Sequence, residues 1–332
     1  MTTAAKEPSK ARFVTVSDDE SGQRLDNFLV RHLKGVPRPR LYRAIRKGEV
    51  RVNKGRIAQT YRLEPGDVVR IPPIAPHSDP RPATTSSYNW TPHILAEDKA
   101  FLVIDKPSGW AVHGGSGVRH GLIESLRANL SDRHDLELAH RLDRSTSGVL
   151  VVAKKRSALR ALHAALREAQ VSKEYLLLVK GDWQHGDHLV DVPLDVNQRR
   201  GGERTVRVAA DGMAAATRFS LCDSWGDVSL IRARPQTGRT HQIRVHAAYL
   251  EHPIVGDERY GDRAINQSFK RYGLKRLFLH SASMAFEHPE GFPRHFSAPL
   301  SDDLRAVIDQ IEKRGRQRTP RAMQRAHRQG KR

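Results

Sequence analysis

The sequence predicts an α+β protein of two domains: a small N-terminal α/β domain, then a larger one with a central mixed or antiparallel β-sheet and flanking helices. Three observations lead there. Short β-branched and apolar runs alternate with amphipathic stretches of helical period, as expected where helices and sheet share a core. Residues 72–89, PPIAPHSDPRPATTSSYN, are rich in Pro, Ser and Thr without periodicity and divide the chain unequally. The chain has 332 residues, and that length allows about two domains, each with its own core. The expected divisions are a flexible N-terminus over 1–20, a first domain over 21–75, a linker over 76–89, a second domain over 90–308 and a basic, disordered tail over 309–332.

The first domain opens with GQRLDNFLVRHL (22–33), where Leu25, Phe28, Leu29 and Leu33 share one helical face, predicting a short amphipathic helix. A second helix is predicted over 39–47 around Leu41 and Ile45, with Gly48 where a C-terminal glycine belongs. Residues 50–53 and 68–71 are predicted strands, separated by turn chemistry at Asn53-Lys54-Gly55 and Leu63-Glu64-Pro65-Gly66-Asp67. In the second domain, strands are predicted over 101–105, 149–153, 175–179, 216–221 and 228–232. Helices are predicted over 121–130, after an N-cap at Ser157 with Leu159, Leu162 and Leu166 inward, and from 238–246 with Ile243, Ala247 and Leu250 inward. The single cysteine, Cys222, excludes an intramolecular disulfide and is expected as a small buried residue of a protein in a reducing compartment.

Charge narrows the function. There are 57 Lys and Arg against 37 Asp and Glu, a formal charge of +20, which suits a polyanionic partner through phosphate neutralisation. No apolar run approaches the ~20 residues that span a bilayer, and the first dozen residues lack the apolar stretch of a secretory signal. A cytoplasmic protein that binds nucleic acid and no membrane is therefore expected. Residues 21–70 hold 13 Lys or Arg to four Asp or Glu, and 311–332 hold nine to one.

The chemistry concentrates in HRLDRSTSG (140–148), a polar turn that places Asp143 between Arg141 and Arg144 and feeds directly into the apolar run 149–152. Taken singly, such an aspartate is a salt-bridged loop residue. It is accompanied, however, by DKPSGWAVHGG (105–115), KEY (173–175) and GRTHQIRVH (238–246), in this order over roughly 140 residues, and later by GDERYG and LFLHSASMAFEHP. Together these segments resemble the ribosomal large-subunit pseudouridine synthases, whose signature is HRLDxxTSG around a catalytic aspartate. The first domain, with its helix, basic turn, helix and then VRVNKGR and LEPGDVVRI, resembles the S4 RNA-binding domain.

The resemblance implies isomerisation of uridine to pseudouridine in 23S ribosomal RNA or an assembly intermediate of it. The N1–C1′ bond breaks, the uracil turns and C5 joins the same C1′, with no redox change. It implies Asp143 as the essential carboxylate, Arg244 as the guanidinium that orients it and keeps it ionised, and Tyr175 stacked on the extruded base. Arg141 would fill the gap left by the flipped nucleotide. In the S4-like domain the expected RNA contacts are Arg38, Arg40, Arg43, Arg46, Lys47, Lys54 and Arg56. Ser145 stands where relatives often carry an acidic residue, at a variable position of the motif. Nothing calls for a metal or a nucleotide cofactor: the 17 histidines include no HExxH pair. His140, His241 and His246 read as hydrogen-bonding scaffold, and a monomer is expected. The alternatives are the same chemistry at other rRNA sites or on tRNA, and a non-catalytic rRNA-binding or ribosome-assembly protein. A nuclease would want clustered carboxylates that 140–148 do not offer.

Overall fold

A computed structural model describes residues 10–33, 36, 38–74, 88–114, 121–130, 136–200 and 203–314. The chain divides into two compact units, Met1–Thr84 and Thr85–Arg332. Most of the expected linker, the VHGGSG glycines beyond Gly114 and the tail beyond 314 lie outside the described residues.

The first unit runs β1 (Arg12–Thr15), α1 (Leu25–His32), α2 (Arg38–Arg46), β2 (Arg51–Val52) and β3 (Val68–Ile71). Its antiparallel sheet has the order β1-β3-β2, and one face meets the helices through Phe28, Leu29, Leu41, Ile45, Val52, Val69 and Ile71. Helix α2 stops at Gly48, which has φ 70°, with Gly48 N–H on the Ile45 carbonyl and Glu49 N–H on that of Ala44. That is the paired bonding of a Schellman end. Strand β1 lies inside the span expected to be flexible. It carries little apolar signal of its own, and its register comes from β3, more than fifty residues later: Arg12 pairs with Ile71 and Thr15 with Val68.

The second unit adds β4 (Ile94–Glu97), β5 (Phe101–Lys106), α3 (Leu122–Asn129), β6 (Glu137–Leu138), β7 (Ser147–Ala153), α4 (Arg156–Arg167) and β8 (Ser172–Lys180). There follow β9 (His188–Asp191), β10 (Leu194–Arg200), β11 (Glu203–Val208), β12 (Ala216–Ser224), β13 (Val228–Pro235), α5 (Gln242–Tyr249), α6 (Arg263–Phe269), β14 (Leu279–Glu287) and β15 (Pro293–Ser297). A last helix, α7, covers 302–314. Eight strands run β4-β5-β7-β14-β8-β13-β12-β9, with β15 on β14 and β6 on β7, while β10 and β11 form a separate hairpin. The sheet is mixed because β7 and β14 pair in parallel and the other pairings are antiparallel.

Strand β7 is buried on both faces. Leu150 and Val152 join the core that holds α3 and α7, whereas Val149 and Val151 join the core beneath α4. Covering on both sides explains why SGVLVVA reads as a continuous apolar run rather than an alternation. Gly148 has φ 105°, and a Cβ there would be driven into the Ser281 carbonyl of β14, so only glycine lets the two strands meet.

Further details depart from the sequence reading. Helix α4 begins at Arg156 behind Lys155 in the N-cap position, so Ser157 is its second residue, although Leu159 and Leu162 do face the core. Cys222 is exposed: β9 covers β12 only as far as Phe219, and a register shift between Leu221 and Asp223 breaks the alternation there. Helix α7 runs six residues past 308 and buries Ile311 alongside Leu304, Val307 and Ile308, so part of the expected tail is core.

Candidate active site

Two loops build the floor of a cleft in the second unit. The first joins β6 to β7 and carries residues 139–146. Leu142 points into the core, Arg141 is exposed and Asp143 sits half-covered between them. Thr146 N–H closes a turn onto the Asp143 carbonyl at 3.1 Å. The His140 ring accepts the Val151 N–H at Nε2, 2.9 Å away, and burial pushes its pKa down to about 3, so it is neutral scaffold.

The second loop, after β5, is locked to the first. Lys106 is fully buried, and its ammonium donates to the carbonyls of Pro107 and Trp110 at 2.9 Å and of Arg144 at 3.2 Å. Burial pushes its pKa down to about 7, against the pull of the Asp143 and Asp105 carboxylates. Ser108 Oγ donates to the Ser145 carbonyl, and Arg144 and Gly109 exchange bonds in both directions. The arginine flanking Asp143 on its C-terminal side is thus spent on the neighbouring loop.

The cation that reaches Asp143 comes from α5. Arg244 Nη1 donates to Asp143 Oδ2 at 3.1 Å, while Nε and Nη2 grip Asp257 at 2.7 and 2.9 Å. Burial works against the charge on Arg244, but Asp257 and then Asp143 outweigh it and raise its pKa above the ordinary value. Burial likewise opposes ionisation of Asp257, yet the guanidinium and the N–H groups of Tyr260 and Arg259 hold its carboxyl below the usual range. The Arg244 guanidinium also lies over the Tyr260 ring, 5.0 Å from its centre.

Helix α5 is aimed by its own polar side chains. Gln242 accepts from Thr237 Oγ1 and Arg239 N–H and donates to β12, and His246 bridges Thr217 and the Val192 carbonyl. His241 precedes the helix with φ 54°, a left-handed conformation that costs a non-glycine residue about 1–2 kcal/mol. Its ring sits with Nε2 3.8 Å from Asp143 Oδ2 and Nδ1 2.9 Å from the Tyr260 hydroxyl.

Tyr175 enters from β8, where it pairs with Ala233 and Ser281. Burial pushes the pKa of its hydroxyl up to about 12, so it is a neutral aromatic wall and no base. The cleft has two lobes, of about 870 and 1060 Å³, that share Arg141, Leu142, Asp143, His241 and Arg244. Tyr175, Lys173 and Arg239 line one lobe, and Lys275, Arg276 and Arg259 line the other, so cations stand on both sides of one carboxylate. Among the described residues no group of three or more His, Cys, Asp or Glu could hold a metal ion.

The fold therefore gathers Asp143, Tyr175, Arg244 and Arg141 around one cleft. Asp257, Tyr260 and Lys106 belong to the same network and were not singled out from the sequence. The GDERYG and DKPSG stretches were the available signals, but neither residue pattern says which partner it meets. In the first unit, Arg40, Arg43, Arg46, Lys47, Lys54 and Arg56 are all exposed, and Arg38 begins α2.

The RNA pseudouridylate synthase family model matches residues 100–249 and the S4 domain model matches 23–69. The ribosomal large subunit pseudouridine synthase C of Haemophilus ducreyi is 49% identical over 316 residues, covering 94% of this chain and 99% of that one. Its namesake from Escherichia coli (strain K12) is 48% identical over 318 residues, covering 92% and 98%. Among solved structures, human RNA Pseudouridylate Synthase Domain Containing 4 is similar with a TM-score of 0.56 at 25% identity, over 67% of this chain and 94% of that one. Human RNA Pseudouridylate Synthase Domain Containing 1 gives 0.55 at 25% identity, over 71% and 97%. Likeness to the synthases over more than nine-tenths of the chain, with the family model matched over 100–249, places this chain in the RNA pseudouridylate synthase family, as a member with an S4 domain ahead of its synthase domain.

Proposed function

We propose that this enzyme isomerises uridines of large-subunit ribosomal RNA, the 23S molecule or an assembly intermediate of it, at the sites served by C-type synthases. The reading rests above all on Asp143. Its carboxylate is bound by Arg244 through one oxygen only and stands where two cation-lined lobes meet. A single strand lying through the lobes would bring one nucleotide to the carboxylate and leave its flanking phosphates to Lys173 and Arg239 on one side and Lys275 on the other.

Reaching a base inside folded RNA requires extruding it, at a cost of a few kcal/mol. Arg141, exposed at the rim, would occupy the vacated stack, and the Tyr175 ring would stack on the extruded uracil. Asp143 then supports cleavage of the N1–C1′ bond, and the enclosed base turns until C5 faces C1′. Bonding there releases the C5 proton, and the freed N1 takes up a proton, so the product has the composition of the substrate. The reaction is an internal rearrangement, so no cofactor is proposed for it; the enzyme is further proposed to act as a monomer in the cytoplasm. The first unit would hold RNA through Arg38, Arg40, Arg43, Arg46, Lys47, Lys54 and Arg56.

Tritium release from 5-tritiated uridine in unmodified 23S rRNA tests this, with Asp143→Asn alongside. Release is expected from the native protein and not from the variant, whose RNA affinity stays within about threefold. Binding without release on 23S rRNA, and release on tRNA, would redirect the substrate. Binding without release on either would favour an assembly role.

A further inference from the structure

We infer that His241 is a positioning residue for the Asp143 carboxylate, and that Tyr260 sets which nitrogen of its ring carries the proton. The inference rests on Asp143 being the essential carboxylate and adds the device that aims it.

Tyr260 decides the tautomer. Its hydroxyl oxygen accepts the Val206 N–H at 3.0 Å and lies 2.9 Å from His241 Nδ1. With the oxygen engaged as an acceptor on one side, the hydroxyl proton is free to be donated to Nδ1. A neutral ring with Nδ1 filled in this way carries its own proton on Nε2, the nitrogen that faces Asp143 Oδ2 at 3.8 Å. Neutrality is supported by the surroundings: burial disfavours the imidazolium, as do Arg244 and Arg141, against Asp143 and Asp257. The N–H therefore points at the carboxylate rather than away from it.

At 3.8 Å the contact is too long for a hydrogen bond. Contacts of this kind are often loose in the free enzyme and tighten when substrate is bound. Arg244 already holds the same oxygen, Oδ2, so a second donor there fixes the plane of the carboxylate. Oδ1 has no hydrogen-bond partner among the described residues and is left for the substrate. The strained backbone points the same way. His241 keeps a left-handed φ at the first step of α5, where its neighbour Gln242 is held by four hydrogen bonds, so the segment forces the ring into the cleft.

The test is steady-state kinetics of the full-length enzyme on unmodified 23S rRNA for His241→Leu, His241→Gln and Tyr260→Phe, with Asp143→Asn alongside and melting temperatures for all four. His241→Leu should lower kcat about tenfold or more with KM within about twofold, because the lost interaction matters at the reacting centre and not in RNA binding. His241→Gln keeps an N–H donor and should recover kcat to within about threefold of the native value. Tyr260→Phe frees Nδ1 to take the proton and turns a lone pair toward Asp143, so kcat should fall about tenfold while the ring stays in place. An unchanged kcat in His241→Leu, equal losses in the Gln and Leu variants at native melting temperature, or a rise in KM alone would each overturn the inference. An active Asp143→Asn would instead overturn the reading of the site on which it rests.

Discussion

Asp143 draws its cation from Arg244, 101 residues downstream, and not from either arginine beside it in the sequence. The fork of Arg244 is filled by Asp257 on two nitrogens and Asp143 on a third, and an ammonium cannot copy that geometry. Arg244→Lys is therefore expected to lower kcat about a hundredfold, and Asp257→Asn about tenfold, both read in single-turnover tritium release with RNA affinity near native. Equal losses in affinity would mean that the pair serves RNA binding instead. His140 gives a pH prediction. Its folded pKa is about 3 against an ordinary 6.5, so the unfolded chain binds one more proton between those values and stability falls as pH drops through that window. Between pH 7 and 5 this group removes about 2 kcal/mol, so denaturant titrations should show a shallower pH slope for His140→Gln. At this scale the sequence named Asp143, Tyr175, Arg141 and Arg244 through the motifs that carry them. For Asp257 and Tyr260 it offered only the GDERYG stretch that contains them and no role, because their roles come from partners fixed only by the fold.

Strand β7 is the element on which the site depends. It is buried on both faces, it lies beside β14 with no room for a side chain at Gly148, and its leading edge is the Asp143 loop. Gly148→Ala should destabilise the synthase unit by at least about 2 kcal/mol in urea titration, since both the left-handed backbone and the close approach oppose a Cβ. A loss below about 0.5 kcal/mol would show that β14 can shift at little cost. Strands with strong apolar runs, β5, β7, β8 and β13, were legible because burial on one or both faces is written locally. Strands β1, β9, β10 and β11 were not: they are short or polar, and their pairing partners supply what their own residues do not. Helices α1, α2 and α3 were legible from spacing, whereas two starts were misplaced: α5 begins at Gln242 and not at 238, because His241 before it is left-handed, and α4 begins behind Lys155, a cap position that carries no capping side chain.

For the whole molecule, the division into a small basic unit and a large synthase unit followed from the break in composition around 72–89, although the structured parts extend further at both ends than the sequence suggested. The exposed cations of α2 and the following turn permit a prediction about RNA affinity. Replacing Arg40, Arg43 and Lys47 together by Ala should weaken binding across RNA sequences alike and reduce the slope of log affinity against log salt by about 2. An unchanged slope would place the electrostatic contacts elsewhere. The parallel meeting of β7 and β14 also bears on the order of events during synthesis. Ser147 and His280 touch across 133 residues of chain, and α7 closes the same core later still. On a ribosome adding about 5–20 residues per second, the first unit emerges whole while the synthase sheet still lacks its centre, and that centre is held back by the entropy of closing so long a loop. A nascent chain thus acquires its basic first unit well before the cleft around Asp143 has its walls, which are complete only when almost the last strand has been translated.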